Sequence, residues 1–239
     1  MDSKGTPRRS ARVPVWVQTA GMRIELPSGA SAEAARPVGN PSMGLVIAPD
    51  IFGLRPLYDD LVARLADEWN MSVVAVEPFA RTTLPLDVDV RFAAVPALDD
   101  TTQINDLCLA ADATGEFTVG IMGFCMGGMY ALKSVATGRF YRTVSFYGMI
   151  TVPRAWLGPG HREPIECVRE GDAESVFAVI GGRDDYTPAG DVDALVDAGA
   201  TVQRYPDAEH GFAHDPSRPT HRAADAADAF ARAREWLLE

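Results

Sequence analysis

The sequence lacks any hydrophobic run long enough to cross a membrane. Hydrophobic residues make up 47% of its 239 positions, but no uninterrupted apolar stretch approaches the roughly 18 residues of a transmembrane helix. Basic charge is also scarce, because 22 Lys and Arg residues stand against 33 Asp and Glu residues and leave a net charge of −11. A binder of nucleic acid or of an anionic membrane needs a basic surface. We therefore predict no nucleic-acid partner and no membrane partner.

Cysteine and histidine are equally sparse. The three cysteines are widely spaced, and no CxxC pair of the kind used by zinc sites is present. We therefore expect no disulfide framework, no metal and no organic cofactor, and free thiols favour the cytoplasm. Cys108 is predicted to lie on the apolar face of a helix and Cys167 in a polar loop, so Cys125 alone has a special local context.

The N-terminus carries basic residues but no apolar block after them, which argues against a secretory signal. Residues 1–12 are predicted to be a disordered tail and residues 13–239 a single domain. That domain is predicted to open with a hairpin of Val13–Gln18 and Met22–Leu26, followed by a loop over Ser28–Pro41.

Buried strands alternate with helices in the rest of the chain. Met43–Ala48 and Met71–Val76 are continuous apolar runs, as in strands covered on both faces. Between them, leucines and Trp69 recur every four residues, which predicts a helix with one buried stripe. This alternation predicts an α/β fold with a mostly parallel sheet and helices on both faces. Thr82–Asp100, rich in proline and acids, is predicted to be an irregular excursion or part of a lid.

The stretch Phe117–Tyr130 reads as a strand, a tight turn and a helix, with Cys125 at the apex of the turn. A nucleophile elbow of this kind needs residues without bulk two positions before and after its apex, and Gly123 and Gly127 occupy those positions. The amides that open the helix could bind an oxyanion. The alternative is a glycine-rich turn around a buried structural cysteine.

A cysteine nucleophile also needs a base and an acid that orients the base. His210 follows the last predicted strand, and Asp184 follows another strand and two glycines. The order Cys125, Asp184, His210 is the chain order of α/β-hydrolases. Taken singly, Asp184 could be an ordinary turn residue, and His161 and His221 are predicted to be solvated surface residues.

With these motifs the sequence resembles the dienelactone hydrolase family, the cysteine-nucleophile branch of the α/β-hydrolase fold, from about residue 20 to the C-terminus. The matching segments are Asp50-Ile51-Phe52-Gly53, Phe79-Ala80-Arg81, Gly123-Phe124-Cys125-Met126-Gly127-Gly128, Tyr147-Gly148, Gly181-Gly182-Arg183-Asp184 with Pro188, and His210-Gly211-Phe212.

The resemblance implies that Cys125 is the nucleophile, His210 the base and Asp184 its orienting acid. It further implies an oxyanion hole made by the backbone amides of Ile51 and Met126. In the family an acidic residue, usually Glu, helps to ionise the thiol from the position that Asp50 holds here. The shorter Asp50 side chain is a departure from that pattern.

Substrate binding is implied for Arg81, Phe52, Tyr147 and His214. The best-known members hold a substrate carboxylate with two arginines; Arg81 matches the first, and His214 stands where the second is expected. Without the family, Arg81 could equally be a surface residue paired with Glu77. Histidine carries at most a partial charge near neutrality and lacks the arginine fork, which predicts a weaker preference for carboxylates.

The expected activity is hydrolysis of a small ester or lactone through a thioester, by a monomer or a homodimer. Dienelactone, a cyclic ester with a carboxylate, is the family's reference substrate. Two alternatives remain open at this point. One is a broad small-ester carboxylesterase, and the other is a catalytically silent member whose thiol serves binding or redox sensing.

Overall fold

The computed structural model describes residues 21–239. The described part contains eight strands, β1 (Met22–Glu25), β2 (Ser31–Ala35), β3 (Gly44–Ala48), β4 (Ser72–Val76), β5 (Val119–Phe124), β6 (Thr143–Phe146), β7 (Val176–Gly181) and β8 (Thr201–Tyr205). Its α-helices are α1 (Pro56–Trp69), α2 (Val88–Ala94), α3 (Asp100–Ala113), α4 (Met126–Ser134), α5 (Pro164–Glu170), α6 (Ala189–Asp197) and α7 (Ala223–Leu238).

The strands form one sheet in the order β1-β2-β4-β3-β5-β6-β7-β8. Every neighbouring pair from β4 to β8 is parallel, and β1 and β2 add an antiparallel edge. The predicted mostly parallel sheet is confirmed. The chain moves outward from β3 to β4 and then crosses back to β5, so the ends of β3 and β5 meet where the strand order reverses. Open α/β sheets bind their ligands at such a point.

The buried strands and the first helix follow the sequence pattern closely. All five residues of β3 and of β4 are buried. In α1 the predicted stripe faces the sheet, with Leu61, Leu65 and Trp69 all buried. Burial on both faces of the sheet requires continuous apolar strands, and this is why those strands could be recognised from the sequence.

The opening hairpin differs from the prediction. Its two strands are β1 and β2, paired Met22 to Ala34 through Glu25 to Ser31, and β2 lies inside the predicted Ser28–Pro41 loop. Strand β2 is built mainly of alanines, whose low strand propensity hid it, but it is paired on both sides because β4 binds its other edge. The predicted strand Val13–Gln18 and the predicted tail lie outside the described residues.

Two other segments are more ordered than expected. The Thr82–Asp100 excursion contains α2, whose Asp87 cap accepts a hydrogen bond of 3.0 Å from the Val90 amide. Cys167, expected in a loop, lies on α5 and is buried against α4, because Pro164 opens a short helix there. Cys108 is half-buried at the edge of the main core, in keeping with its predicted apolar face. Among the described residues, no helix is long and apolar enough to span a membrane.

The first turn of α4 is packed directly on the backbone that follows β3. A Cβ atom on Gly127 would lie 1.9 Å from the carbonyl oxygen of Ala48 and 2.4 Å from that of Pro49. Backbone cannot move aside as a flexible side chain can. Only glycine fits at this position, and the contact fixes the distance between the ends of β3 and β5.

We expect Gly127→Ala to lower the free energy of unfolding by about 3 kcal/mol, the upper end of the range for overpacked sites. Urea unfolding followed by circular dichroism measures this loss. Gly190→Ala is the matched control, because a Cβ atom on Gly190 in α6 meets no heavy atom within 4 Å. That variant should match the wild type or gain up to about 1 kcal/mol. Equal losses in both variants would contradict the steric argument.

Candidate active site

Cys125 lies at the apex of a strained turn between β5 and α4. Its backbone adopts φ 56° and ψ −118°, which is rare for a residue with a side chain. A Cβ atom on Gly123 would come 2.1 Å from the carbonyl oxygen of Gly127, so the turn needs glycine there. The Cys125 amide donates to the Phe146 carbonyl over 3.0 Å and anchors the turn to β6. The turn has the elbow geometry that the sequence predicts.

The structure brings His210 and Asp184 to the same edge of the sheet. His210 Nδ1 lies 2.9 Å from Asp184 Oδ2. A carboxylate only accepts, so Nδ1 carries the proton and Nε2 is the ring nitrogen left for another partner. His210 and Cys125 line the same cavity. The Tyr186 amide donates to Asp184 Oδ1 over 2.9 Å and fixes the carboxylate. The structure thus pairs His210 with Asp184 and places His210 at the cavity that Cys125 lines.

The electrostatics of His210 favour its charged form. Burial lowers the pKa of His210, but the charge of Cys125 and the hydrogen bonds to Asp184 and Cys125 outweigh it and raise the pKa to about 10. An imidazolium at neutral pH beside the sulfur stabilises a thiolate. This arrangement can supply a nucleophile without any other group.

Two backbone amides next to Cys125 have no partner within the described chain. Neither the Ile51 amide nor the Met126 amide donates to a protein acceptor among residues 21–239. Met126 opens α4, and Ile51 lies in the loop that Gly127 brings alongside it. The Ile51 carbonyl points elsewhere and accepts from Arg91 Nη1 over 3.0 Å. The two amides predicted to bind an oxyanion are thus not occupied by an acceptor within residues 21–239.

A cavity of about 260 Å³ opens over the Cys125 thiol. Its wall is mostly apolar, as in pockets for small organic molecules. The excursion contributes Val88 and Phe92 from α2, so this segment does cover the site. The remaining lining residues are Asp50, Ile51, Phe52, Cys125, Trp156, Tyr186, His210 and Arg218. A larger groove of about 540 Å³ lies between α1 and α7, away from the thiol.

The structure does not bring all predicted substrate contacts to this pocket. Phe52 lines it, but Tyr147 and His214 are buried behind Asp50 and bind each other. Asp50 borders the pocket, but its carboxylate is bound by Arg55 and His214 rather than by the thiol. These residues form a supporting layer beneath the loop that carries Ile51.

Arg81 lies outside the pocket. Its guanidinium binds both carboxylate oxygens of Asp106 in α3, at 2.6 and 3.0 Å, and borders a different cavity. Asp106 is buried, and its charge is compensated by Arg81. The partner Glu77, considered from the sequence, instead accepts from the amides of Leu54 and Phe79.

Sequence reasoning missed two arginines. Arg55 precedes α1 and binds Asp50 with two nitrogens, at 2.7 and 2.9 Å. Arg218 follows His210 in the same loop and is the basic residue that lines the pocket. The signal for Arg218 was its place in the His210 loop. Arg55 carried no signal, because its partner is defined only by the fold of the loop after β3.

His161, predicted to be a solvated surface residue, has a fully buried side chain. Its Nε2 donates to the Val95 carbonyl over 3.0 Å, so its Nδ1 accepts from Lys133 over 3.3 Å. Lys133 is itself buried in α4 and pairs with Asp100 at 2.9 Å. A buried ammonium needs partners, and these two supply them. Val95 directly follows α2, so the hydrogen bonds of His161 and Lys133 connect α2, which borders the pocket, to α4.

His221 was likewise expected at the surface. Its Nδ1 atom is buried and has no hydrogen-bond partner within residues 21–239.

Within residues 21–239 no group of three or more His, Cys, Asp or Glu side chains is placed to hold a metal ion.

The sheet topology and the elbow define an α/β-hydrolase fold with cysteine at the elbow. A solved structure from Klebsiella pneumoniae, assigned as a dienelactone hydrolase, matches with a TM-score of 0.81 at 23% identity and covers 92% of this chain and 98% of its own. A dienelactone hydrolase-like promiscuous phosphotriesterase from metagenomic libraries matches with a TM-score of 0.71 at 18% identity, over 91% and 96%. At these identities the likeness concerns the fold.

Sequence comparison gives the family. The model of the dienelactone hydrolase family matches residues 30–239, so the chain belongs to that family and is a hydrolase of ester or lactone bonds. A carboxymethylenebutenolidase of Rhodococcus opacus is 30% identical over 207 residues, which are 81% of this chain and 79% of that protein. One of Pseudomonas putida is 28% identical over 207 residues, or 79% and 80%.

We expect Asp100→Ala to lower the free energy of unfolding by about 3–5 kcal/mol, because it leaves the buried Lys133 ammonium without its carboxylate. Thermal and urea unfolding measure the loss. Asp112→Ala is the control, since Asp112 forms an exposed pair with Arg139 in the same helical region and should cost at most about 1 kcal/mol. A loss at Asp100 as small as that at Asp112 would contradict the importance of the buried pair.

Proposed function

We propose that the protein cleaves a carboxylic ester or lactone with Cys125 as nucleophile, His210 as general base and acid, and Asp184 as the orienting acid. The observation that carries this proposal is the 2.9 Å hydrogen bond from His210 to Asp184, with His210 and Cys125 lining one mostly apolar pocket. A structural cysteine would require neither the imidazole nor the two free amides beside it.

In the proposed reaction the Cys125 thiolate attacks the substrate carbonyl. The oxygen of the tetrahedral intermediate becomes negative and accepts from the amides of Ile51 and Met126. The C–O bond to the leaving group then breaks, and the His210 imidazolium gives its proton to the departing alkoxide. In a lactone this step opens the ring and leaves the alcohol attached to the acyl group.

A thioester between Cys125 and the acyl group remains. His210, now neutral, takes a proton from water, and the resulting hydroxide adds to the thioester carbonyl at the same oxyanion site. Collapse of this second intermediate breaks the C–S bond, restores the thiolate and the imidazolium, and releases the carboxylic acid. Asp184 holds the ring in one tautomer throughout.

Arg218 indicates the charge of the substrate. Its guanidinium lines the pocket, and no acidic partner is bound to it among the described residues. A Cβ atom on Gly211 would lie 2.5 Å from Arg218 Nη1, so the guanidinium is packed against the residue that follows His210. An uncompensated cation beside the reacting centre favours a substrate with a carboxylate. The relatives named carboxymethylenebutenolidase support a lactone of that kind.

We expect Cys125→Ser and His210→Ala to lose at least about 10³-fold in kcat/KM for p-nitrophenyl acetate and for a dienelactone, because each removes part of one catalytic unit. Initial-rate assays at neutral pH measure the loss. Cys108→Ala is the control and should retain wild-type rates, since Cys108 lies outside the pocket. Full activity of Cys125→Ser and His210→Ala would exclude the proposed mechanism.

We expect Arg218→Met to lower kcat/KM for an ester bearing a carboxylate by about 10- to 100-fold, the value of one charge-assisted hydrogen bond. The neutral p-nitrophenyl acetate should be hydrolysed at nearly the wild-type rate. Arg81→Met is the matched control, because Arg81 binds Asp106 outside the pocket. If kcat/KM for the charged ester falls in Arg81→Met and not in Arg218→Met, the assignment of Arg218 is wrong.

A further inference from the structure

The Asp50 carboxylate accepts four hydrogen bonds. Oδ1 accepts from the Phe52 amide at 3.0 Å and from Arg55 Nη1 at 2.7 Å. Oδ2 accepts from Arg55 Nη2 at 2.9 Å and from His214 Nε2 at 2.7 Å. A carboxylate offers about four lone-pair sites, and all of them are in use. No acceptor site is left for the thiol of Cys125.

The charge of Asp50 is also neutralised. Arg55 binds it through two nitrogens in the bidentate geometry of a strong ion pair. Burial alone would raise the pKa of Asp50, but the hydrogen bonds from His214 and Arg55 hold it below its usual range. The charge of Asp50 is thus compensated by Arg55 within the loop.

His214 extends this network inward. Its side chain is fully buried, and burial lowers its pKa despite the opposing effect of Asp50, so the ring is neutral. Because Nε2–H donates to Asp50, Nδ1 is an acceptor, and the Tyr147 hydroxyl donates a hydrogen bond to it. The Tyr147 oxygen accepts in turn from the His214 amide over 3.3 Å. Every member of this chain has a defined donor and acceptor role.

The backbone of Asp50 is fixed as firmly as its side chain. Its amide donates to the Tyr58 hydroxyl over 2.8 Å, and its carbonyl accepts from the Gly53 amide over 2.9 Å. Together with the Phe52 bond to Oδ1, these contacts hold both sides of the peptide unit that carries the Ile51 amide. Of the four amides from Asp50 to Gly53, that of Ile51 alone has no acceptor among residues 21–239, and Ile51 lines the pocket.

We propose that Asp50 is a positioning residue for the Ile51 amide, held by Arg55 and His214, and that it does not ionise Cys125. This inference rests on the proposed function, because it assigns Ile51 to the oxyanion. It departs from the expectation that the acid before the Ile-Phe-Gly turn activates the thiol.

The test measures two properties of Asp50→Asn. The first is kcat for p-nitrophenyl acetate, and the second is the rate at which iodoacetamide alkylates Cys125, followed by peptide mass spectrometry. We expect kcat to fall by about 100-fold, as for a catalytic group displaced by about 1 Å. The alkylation rate at pH 7 should stay within about two-fold of the wild type, because alkylation needs the thiolate but no oxyanion hole.

A fall in the alkylation rate that matches the fall in kcat would overturn the inference, since a thiol activator must affect both. An unchanged kcat would also overturn it. If the wild type hydrolyses neither the simple ester nor the dienelactone, the proposed function fails. The comparison of alkylation rates still decides whether Asp50 acts on the thiol.

His214 provides a second pair of variants in case Asp50→Asn folds poorly. Gln can donate to Asp50 and accept from Tyr147 with one amide, whereas Leu can do neither. We expect His214→Gln to keep a kcat about tenfold above that of His214→Leu, with similar alkylation of Cys125 in both. Equal kcat values in the two variants would show that the hydrogen-bond chain does not position the loop.

Discussion

The close contact between the first turn of α4 and the loop after β3 is the constraint on which the site depends. Because Gly127 has no side chain, the start of α4 rests against the carbonyl oxygens of Ala48 and Pro49. The loop that carries the Ile51 amide is therefore held against the helix start that carries the Met126 amide. Strain at the apex of the elbow costs about 1–3 kcal/mol, and the fully buried strand and helix on either side offset it.

Two buried aspartates at this edge of the sheet do different work because their partners differ. Asp184 binds one imidazole and one backbone amide, so its charge is available to stabilise the imidazolium of His210. Asp50 forms an ion pair with Arg55 and accepts a further hydrogen bond from His214, so its charge is compensated within the protein. The environment of a carboxylate, rather than its distance from the reacting atom, decides which role it can take.

Much of the fold could be predicted from local patterns in the sequence. Strands buried on both faces read as continuous apolar runs, and the elbow reads as glycines around Cys125, because both signals lie within a few residues. Strand β2 was not predicted, because its alanines form a strand only when β1 and β4 bind its two edges. The burial of His161 was not predicted for a similar reason, since its hydrogen-bond partner Lys133 lies 28 residues away in the sequence.

The partners of the charged residues were the least predictable part of the site. A sequence shows that Arg81, Arg55 and Arg218 exist, but their roles depend on which carboxylate lies within reach after folding. Arg81 forms an ion pair with Asp106 on α3, and Arg55 forms one with Asp50. Only Arg218 remains directed at the pocket. Which arginine can face a ligand thus depends on ion pairs inside the protein, and alignment position alone does not show these pairs.

Histidine at position 214 fits this distribution of charge. Position 214 is fully buried and lies beside a carboxylate that Arg55 already neutralises. A second arginine there would place another buried cation beside Arg55, and a buried charge is costly unless it is paired. It would also lack the acceptor that the Tyr147 hydroxyl needs, whereas a neutral histidine donates to Asp50 and accepts from Tyr147. Arg55 and His214 are thus matched to each other, and Arg218, four residues after His214, is the arginine that lines the pocket.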